Sequence, residues 1–415
     1  MKIPVVFATD ENYLFYTVVA ITSMAENASE DTFYQIYILV SGALEKGHRI
    51  LTDLEEKYAN LKINLLPVDG REFQGVTINN KHITKATFYR LLLSELLQEE
   101  KCLYLDSDIV VNTDLQELYC TDIGENYIAG VRDLWIDLLK ESERETRRIR
   151  TNIPTMDQYV NAGVLLFNLD KIRADHMEER FREHMNNNYL FEDQDIINVC
   201  CYDNIRRLPA KWNLFTSHMG LLEELKDKGV AKETIQYMEE KKGILHYATI
   251  LIRPWESKRF ICNDIWWKYA EVWRNTPEFQ RMEKRMQQHE LGYSEEKTAA
   301  YCAAYDKVYI WGFTVFGRSI LTELMKRGTG NIAAFIDNDI EKQKFTYCGR
   351  PVVSFDTLSY EQEKCALIIA SQKSGNEIKN MLIAQEVREE DIICFVQKSS
   401  YYYKCLRPEF CEGEE

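Results

Sequence analysis

Two aspartates that close an apolar run, in Lys101-Cys102-Leu103-Tyr104-Leu105-Asp106-Ser107-Asp108, are the most chemically informative feature of this chain. Residues two apart in an extended chain point the same way, so Asp106 and Asp108 can reach one hard divalent cation. Burying two carboxylates beside so apolar a strand is costly unless a cation or hydrogen-bond donors compensate. The same spacing recurs at Asp193/Asp195 and Asp337/Asp339, where a solvated turn or helix cap is the plainer reading. A phosphatase that forms an aspartyl-phosphate also sets Asp-x-Asp after an apolar strand, with a carboxylate attacking phosphorus. Such enzymes usually carry the pair on their first strand, whereas here about a hundred residues precede it.

An acidic pair of this kind sits at the carboxyl edge of an open α/β sheet, where such folds bind ligands. Short runs rich in Val, Ile, Leu and Tyr alternate with segments of helical period, which predicts βαβ units. The pattern predicts strands near 3–9, 34–40, 61–68, 102–106, 127–132 and 162–168, with helices near 13–27, 43–59, 86–98 and 171–187. Residues 223–242 and 264–300 are charged and helical. Trp266, Trp267, Tyr269 and Trp273 recur there at near-helical spacing, a packing stripe more than a sugar or membrane platform. At 307 the pattern restarts with Lys307-Val308-Tyr309-Ile310-Trp311, a turn from Gly312 to Gly317 and a helix to Arg327, then a strand Asn331–Ile336. Apolar runs at 366–370 and 391–396 bracket a helix at 375–386. The expected organisation is a first α/β domain over 1–262, a helical connection over 263–300, a smaller Rossmann-like α/β domain over 301–400 and a tail over 401–415.

Composition narrows the function. With 415 residues, 51 Lys plus Arg and 66 Asp plus Glu, the chain carries −15, so a polyanion such as nucleic acid meets net repulsion. No run approaches the roughly 20 apolar residues of a membrane span, and the N-terminus lacks a signal-peptide pattern. Eleven cysteines without paired motifs, several inside apolar runs (Cys102, Cys262, Cys365, Cys394), read as reduced core residues. A cytoplasmic protein is expected, with peripheral contact to the inner membrane face and homo-oligomerisation as further expectations.

Six segments then fall in one order: Phe7-Ala8-Thr9-Asp10-Glu11-Asn12-Tyr13, Thr84–Arg90, Tyr104–Asp108, Asn161-Ala162-Gly163-Val164, Asp193-Gln194-Asp195 and His246-Tyr247. In order and spacing, over about residues 3–260, they resemble glycosyltransferase family 8. The resemblance implies a GT-A nucleotide-diphospho-sugar transferase fold, manganese with magnesium as the alternative, and transfer of a hexose from a UDP-sugar with retention of configuration. It implies Asp106, Asp108 and His246 as metal ligands, and Ala8, Asp10, Asn12, Tyr13, Arg90, Asp106, Ser107 and Arg253 as donor-binding residues. Asn161, Asp193, Gln194 and Asp133 are implied around the reacting carbon. Physical chemistry agrees: a donor charged on its diphosphate can join an acidic pair only through a bridging cation. Asp10 and Asn12 serve equally as helix N-caps, and Arg90 in an apolar stretch needs an anionic partner, whether internal or the donor.

The chain departs from the family after its histidine. His246-Tyr247-Ala248-Thr249-Ile250-Leu251-Ile252-Arg253-Pro254-Trp255 lacks the usual glycine and has Arg253 where the family has the lysine of Lys-Pro-Trp. Arginine keeps the charge and can bind phosphate bidentately. In the second domain, Gly312-Phe313-Thr314-Val315-Phe316-Gly317 lacks the full G-x-G-x-x-G, and Phe313 and Val315 are bulky where phosphate would approach, so packing or oligomerisation is favoured over nucleotide binding. The expected function is a metal-dependent retaining hexosyltransferase using UDP-glucose or UDP-galactose to build a cell-surface glycan or lipopolysaccharide-type acceptor, a saccharide or glycolipid. A non-catalytic nucleotide-sugar-binding or scaffold protein on the same fold is the alternative.

Overall fold

The computed structural model describes residues 1–407 apart from 43, 45–47, 74–75, 77–84, 188, 249–252, 358–363, 372–374, 397, 399–401 and 403. It forms two compact units, Met1–Ile252 with Ile261–Phe279, and Arg253–Phe260 with Gln280–Glu415.

The first unit is built on strands β1 (Lys2–Thr9), β2 (Phe33–Val40), β3 (Leu61–Pro67), β4 (Lys101–Leu105), β5 (Ile109–Val111), β6 (Ile128–Arg132), β7 (Val160–Asn168), β8 (Ile205–Arg207), β9 (Leu214–Phe215) and β10 (Ile244–His246). Seven of them form one sheet in the order β3-β2-β1-β4-β7-β6-β8. β1 to β4 run parallel, β7 runs antiparallel to both β4 and β6, and β8 is parallel to β6. β1 reads as a nearly continuous apolar run because both of its faces are covered: Ile3, Val5, Val6 and Phe7 are all fully buried. Its one proline, Pro4, precedes Val5, where pairing with β4 begins, so the missing N–H costs no bond on that side.

Chain order runs from β1 outward to β2 and β3, then returns to place β4 on the other side of β1. The carboxyl ends of β1 and β4 therefore flank a topological switch point, the crevice where open α/β sheets take ligands. The remaining strands β5, β10 and β9 form a separate small sheet, with β10 antiparallel to β5 and parallel to β9.

Several local expectations are corrected. The helix expected at 86–98 is a 3₁₀ run, Lys85–Leu92, followed by one α-turn, Leu93–Leu96. Its side chains at 86 and 88–93 are buried all round, so tertiary packing and the anchoring of Arg90 override helical preference. The helix expected at 171–187 is broken into Leu169–Ala174 and Met177–His184 by His176 in the left-handed region, φ 52°. Of the helix expected at 43–59 the described residues form His48–Lys57, and residues 43 and 45–47 lie outside the described residues. The tryptophan stripe is core: Trp266, Trp267, Tyr269 and Trp273 are at most 5% exposed, and the Trp273 indole N–H donates to Thr22 Oγ1 at 2.8 Å.

In the second unit, β11 (Lys307–Trp311), β12 (Ile332–Ile336), β13 (Thr346–Tyr347), β14 (Arg350–Val353), β15 (Cys365–Ile369) and β16 (Ile392–Cys394) form a sheet ordered β13-β14-β12-β11-β15-β16. All neighbours are parallel except the β13/β14 hairpin, a pair that the apolar pattern did not disclose. Helices Val315–Lys326 and Gly375–Ala384 follow β11 and β15. Gly312 has φ 108°, and a Cβ on Gly317 would lie 2.1 Å from the Gly312 carbonyl oxygen, so the turn requires both glycines. Asp337 accepts from the Phe313 N–H and from Lys342, both at 3.0 Å, which ties that turn to the end of β12.

Among the described residues no helix is long and apolar enough to cross a membrane, and every described cysteine is a free thiol.

Candidate active site

Two strand registers assemble the acidic centre. β4 runs antiparallel to β7 with Leu105 opposite Val164, so Asp106 follows directly beside Gly163, whose carbonyl accepts the Asp106 N–H at 2.8 Å. The chain turns through Ser107 into β5, and there His246 pairs with Ile109 while the Tyr247 N–H donates to the Asp108 carbonyl at 2.8 Å. Asp106, Asp108 and His246 thus offer ligand atoms that all lie within 4.8 Å of one another. His246 Nε2 is 3.2 Å from Asp108 Oδ1 and 3.9 Å from Asp106 Oδ2. Burial pulls the His246 imidazole down, yet the charge and hydrogen bond of Asp108, with Asp106 behind it, leave its pKa raised overall.

Gly163 is the floor of this arrangement. A Cβ there would meet His246 Cε1 at 2.3 Å and Asp106 Oδ2 at 2.9 Å. Two carboxylates and one imidazole, packed so closely that no methyl group fits beneath them, are a donor set suited to a hard divalent cation such as Mn²⁺ or Mg²⁺.

Arg90 holds the acidic side in place. Its buried guanidinium donates to Asp106 Oδ1 at 2.8 Å and to the Ala162 carbonyl at 2.6 Å, and lies 3.1 Å from Asp193 Oδ2. It also stacks 4.2 Å from the Tyr104 ring. Burial opposes its charge, but Asp106 and Asp193 outweigh that and raise its pKa. Asp193 receives the Thr87 hydroxyl on its other oxygen at 2.6 Å. Burial raises the Asp193 pKa, against the pull of Arg90 and Thr87. The partners seen for Arg90 are all internal.

A row of amides lies on the opposite side. Gln194 Oε1 accepts from Asn161 Nδ2 at 2.8 Å and from the Ala162 N–H at 3.1 Å, while Gln194 Nε2 donates to Asp133 Oδ2 at 3.0 Å. Asp133 follows β6 and also receives the Trp135 N–H. Burial raises the Asp133 pKa, countered by the charge of Arg147. Asn161 Oδ1 accepts from the Gly163 N–H and from Asn213 Nδ2, both at 2.9 Å, and Asn213 Oδ1 faces His246 Nδ1 at 2.8 Å.

At the end of β1, Asp10 Oδ1 accepts the N–H groups of Asn12 and Tyr13 at 2.9 and 3.0 Å and so closes the turn ahead of helix Leu14–Glu26. The N-cap of that helix is Tyr13, with no side-chain cap bond, so neither Asp10 nor Asn12 is the helix N-cap. Asn12 is exposed and Ala8 and Tyr13 are half-buried. The Ser107 hydroxyl is 2.8 Å from Thr17 Oγ1, and Thr17 in turn donates to Thr9 at 3.0 Å. Ser107 therefore locks the β1 end to the β4 end across the switch point. Arg253 belongs to the second compact unit, 5.3 Å from the Trp255 ring, and residues 249–252 of the altered loop lie outside the described residues.

The structure brings Asp106, Asp108, His246, Arg90, Asn161, Asp193, Gln194 and Asp133 into one connected network. Sequence reasoning missed Asn213, Thr87 and Tyr159. Tyr159 donates to Asp195 and receives Gln194 Nε2 at 3.4 Å. Asn213 gave no signal beyond its place between Trp212 and a two-residue strand.

Known proteins agree with this architecture. The lipopolysaccharide 1,2-glucosyltransferase of Escherichia coli is 25% identical over 300 residues, covering 68% of this chain and 81% of its own. A protein of Haemophilus influenzae is 30% identical over 224 residues, 53% of this chain and 66% of its own length, a little under two thirds. The solved galactosyltransferase LgtC, in complex with donor and acceptor sugar analogs, superposes with a TM-score of 0.55 at 25% identity, over 68% of this chain and all of LgtC. The first unit has the GT-A glycosyltransferase fold. A profile described as C2185-like, N-terminal, matches residues 304–393. The profile of glycosyl transferase family 8 matches residues 4–259, well over half of the sequence, and the chain belongs to that family.

Proposed function

We propose that this chain is a divalent-cation-dependent, retaining hexosyltransferase that moves glucose or galactose from a UDP-sugar to a cell-surface glycan or lipopolysaccharide-type acceptor. The observation that carries the reading is the convergence of Asp106, Asp108 and His246 at the switch point between β1 and β4. An acidic edge repels a nucleoside diphosphate unless a cation joins them. Bound there, Mn²⁺ or Mg²⁺ would bridge the carboxylates to the diphosphate and offset the negative charge that develops on the leaving group.

The chain's own residues divide the remaining work. Arg90 neutralises Asp106 and Asp193 together and fixes the Asp106 carboxylate so that Oδ2 stays turned toward His246. Both oxygens of Asp193 are engaged, by Thr87 and by Arg90. That favours a role in holding Arg90 over nucleophilic attack. Gln194, with Oε1 doubly engaged, is likewise held by the protein, and its amide lies beside Asp133 where a developing positive charge on a sugar would find an acidic neighbour. Assignment of Asp10, Asn12 and Tyr13 to the uridine, and of Arg253 to the leaving diphosphate, rests on the sequence motifs. The hexose and acceptor are supported by the E. coli relative and by the lipopolysaccharide 1,3-galactosyltransferase of Salmonella typhimurium, 24% identical over 267 residues, 62% of this chain and 74% of its own.

The test is calorimetric titration with UDP in Mn²⁺ and in EDTA, alongside a screen of UDP-hexoses for metal-dependent hydrolysis. UDP binding is expected only with the metal and is expected to be abolished by Asp108→Ala. Equal UDP affinity in EDTA would refute the metal-bridged reading.

A further inference from the structure

The amides beside the acidic centre have determined orientations, because backbone donors fix which end of each is oxygen. The Ala162 N–H can only donate, so the Gln194 atom receiving it at 3.1 Å is Oε1, and the Gln194 nitrogen turns to Asp133 Oδ2 at 3.0 Å. The Gly163 N–H likewise identifies Asn161 Oδ1 at 2.9 Å, leaving Asn161 Nδ2 to donate to Gln194 Oε1 at 2.8 Å. Asn213 Nδ2 donates to that same Asn161 Oδ1 at 2.9 Å. Asn213 must then present its oxygen to His246 Nδ1, 2.8 Å away.

From this series we infer that Asn213 is a positioning residue: held by Asn161 and Gln194, it accepts the Nδ1 proton of His246 and so keeps Nε2 open to the cation. The inference rests on the metal reading given above. A neutral histidine that ligates through Nε2 must carry its one proton on Nδ1. His246 is 2% exposed, so that proton has no access to bulk water and needs an internal acceptor. The pull in the other direction is real, since Asp108 Oδ1 lies 3.2 Å from Nε2 and favours a proton there. Asn213 Oδ1 opposes it with an acceptor that cannot be exchanged for an amide N–H without breaking the bond to Asn161. The same row ties the histidine to Asp133 and Gln194, so the cation side and the far side of the site are aligned by one set of hydrogen bonds.

The test uses the full chain and Mn²⁺ alone, followed by loss of the free-ion electron paramagnetic resonance signal. Asn213→Leu removes the acceptor at similar volume and is expected to weaken Mn²⁺ binding about 10- to 100-fold. Asn213→Asp keeps an acceptor oxygen for Nδ1 but loses the donor to Asn161, so it is expected to lose less Mn²⁺ affinity than Asn213→Leu, a partial rescue that a merely structural role would not give. Asn213→Ala, with less to bury, keeps the test decisive should Asn213→Leu prove insoluble, and is expected to lose at least about tenfold. In Mg²⁺-loaded protein with ¹⁵N-labelled histidine, the Nδ1 proton of His246 is expected to exchange slowly in wild type and Asn213→Asp and fast in the apolar variants. Wild-type affinity in Asn213→Leu or Asn213→Ala, or equal loss in the Asp variant, would overturn the inference. Failure of wild type itself to bind Mn²⁺ would overturn the metal reading on which it stands.

Discussion

Replacing Gly163 by alanine tests whether the acidic centre is built to tolerances that only glycine allows. The added Cβ would stand 2.3 Å from His246 Cε1, about 1 Å inside the 3.4 Å at which ordinary contact begins. The ring cannot simply swing aside. Its Nδ1 is bonded to Asn213, and Phe215 lies against it with ring centroids 5.1 Å apart. Retreat by β7 is also opposed, because the Gly163 carbonyl holds the Asp106 N–H and its own N–H is held by Asn161. A displacement near 1 Å is several times the roughly 0.2 Å tolerance of a metal–ligand distance, so Mn²⁺ affinity is expected to fall about 10- to 100-fold, or about 1.4–2.8 kcal/mol. Overpacking should cost folding stability about 1–3 kcal/mol as well. The assay pairs Mn²⁺ titration with thermal unfolding in EDTA, and adds His246→Ala as the second arm of a double-mutant cycle. Once the imidazole is gone the closest clash is relieved and only the 2.9 Å approach to Asp106 Oδ2 remains, so Gly163→Ala should cost much less in the His246→Ala background. Wild-type Mn²⁺ affinity in Gly163→Ala, or equal losses in both backgrounds, would refute the reasoning.

Arg90→Met should cost about 3–5 kcal/mol of stability in EDTA, because it leaves Asp106 and Asp193 without their shared buried cation, and Arg90→Lys should recover only part of it for want of a fork that spans both; an unchanged unfolding midpoint in Arg90→Met would count against the bridging role. His218 is fully buried between Trp135 and Phe215, and burial pushes its pKa down to about 3 from an ordinary 6.5. The unfolded chain takes up a proton below pH 6.5 that the folded one refuses until about pH 3, so stability is lost as pH falls through that window, by up to about 1.4 kcal/mol per pH unit. His218→Phe should flatten that acid limb in denaturant titrations at pH 7, 6 and 5, and an unchanged slope would show that His218 is not its source.

The sheet of the first unit was legible because β1 and β4 are buried along most of their length and read as nearly unbroken apolar runs, while β2 alternates half-buried and buried residues around Gln35. The small sheet was not, since three residues at β5 and β10 and two at β9 are too few to show a period of two. The 3₁₀ run Lys85–Leu92 misled the reading for a related reason. With only Lys85 exposed and Thr87 half-buried, the run shows too little polar face to distinguish one helix type from another. Asn213 was invisible because its two partners come from 33 and 52 residues away, brought together only by the pairing of β9 with β10 and the course of β7.

The three Asp-x-Asp pairs show why spacing alone could not identify the site. Asp106 follows β4 and Asp108 precedes β5 across the bend at Ser107–Asp108, and that corner lets both reach His246. Asp193 and Asp195 stand on helix Glu192–Cys200, where the same separation turns side chains about 200° apart, and they serve different partners: Asp193 meets Arg90, while Asp195 receives Tyr159 and the N–H groups of Leu190 and Phe191. Asp337 and Asp339 bend the chain after β12, each accepting an N–H two residues ahead. One local pattern thus yields a metal-type site, a pair of buried struts and a turn, and the backbone beneath each pair decides which. The apolar strand before Asp106 carried that backbone information, because a buried parallel strand leaves its carboxyl-terminal residues at the ligand edge. Neither other pair closes such a strand without a helix or turn already claiming its oxygens. The acidic centre is therefore specified jointly by the pair and by the run that ends in it, and a change that converted the Asp106–Asp108 corner to helix would separate the two carboxylates with every ligand residue still in place.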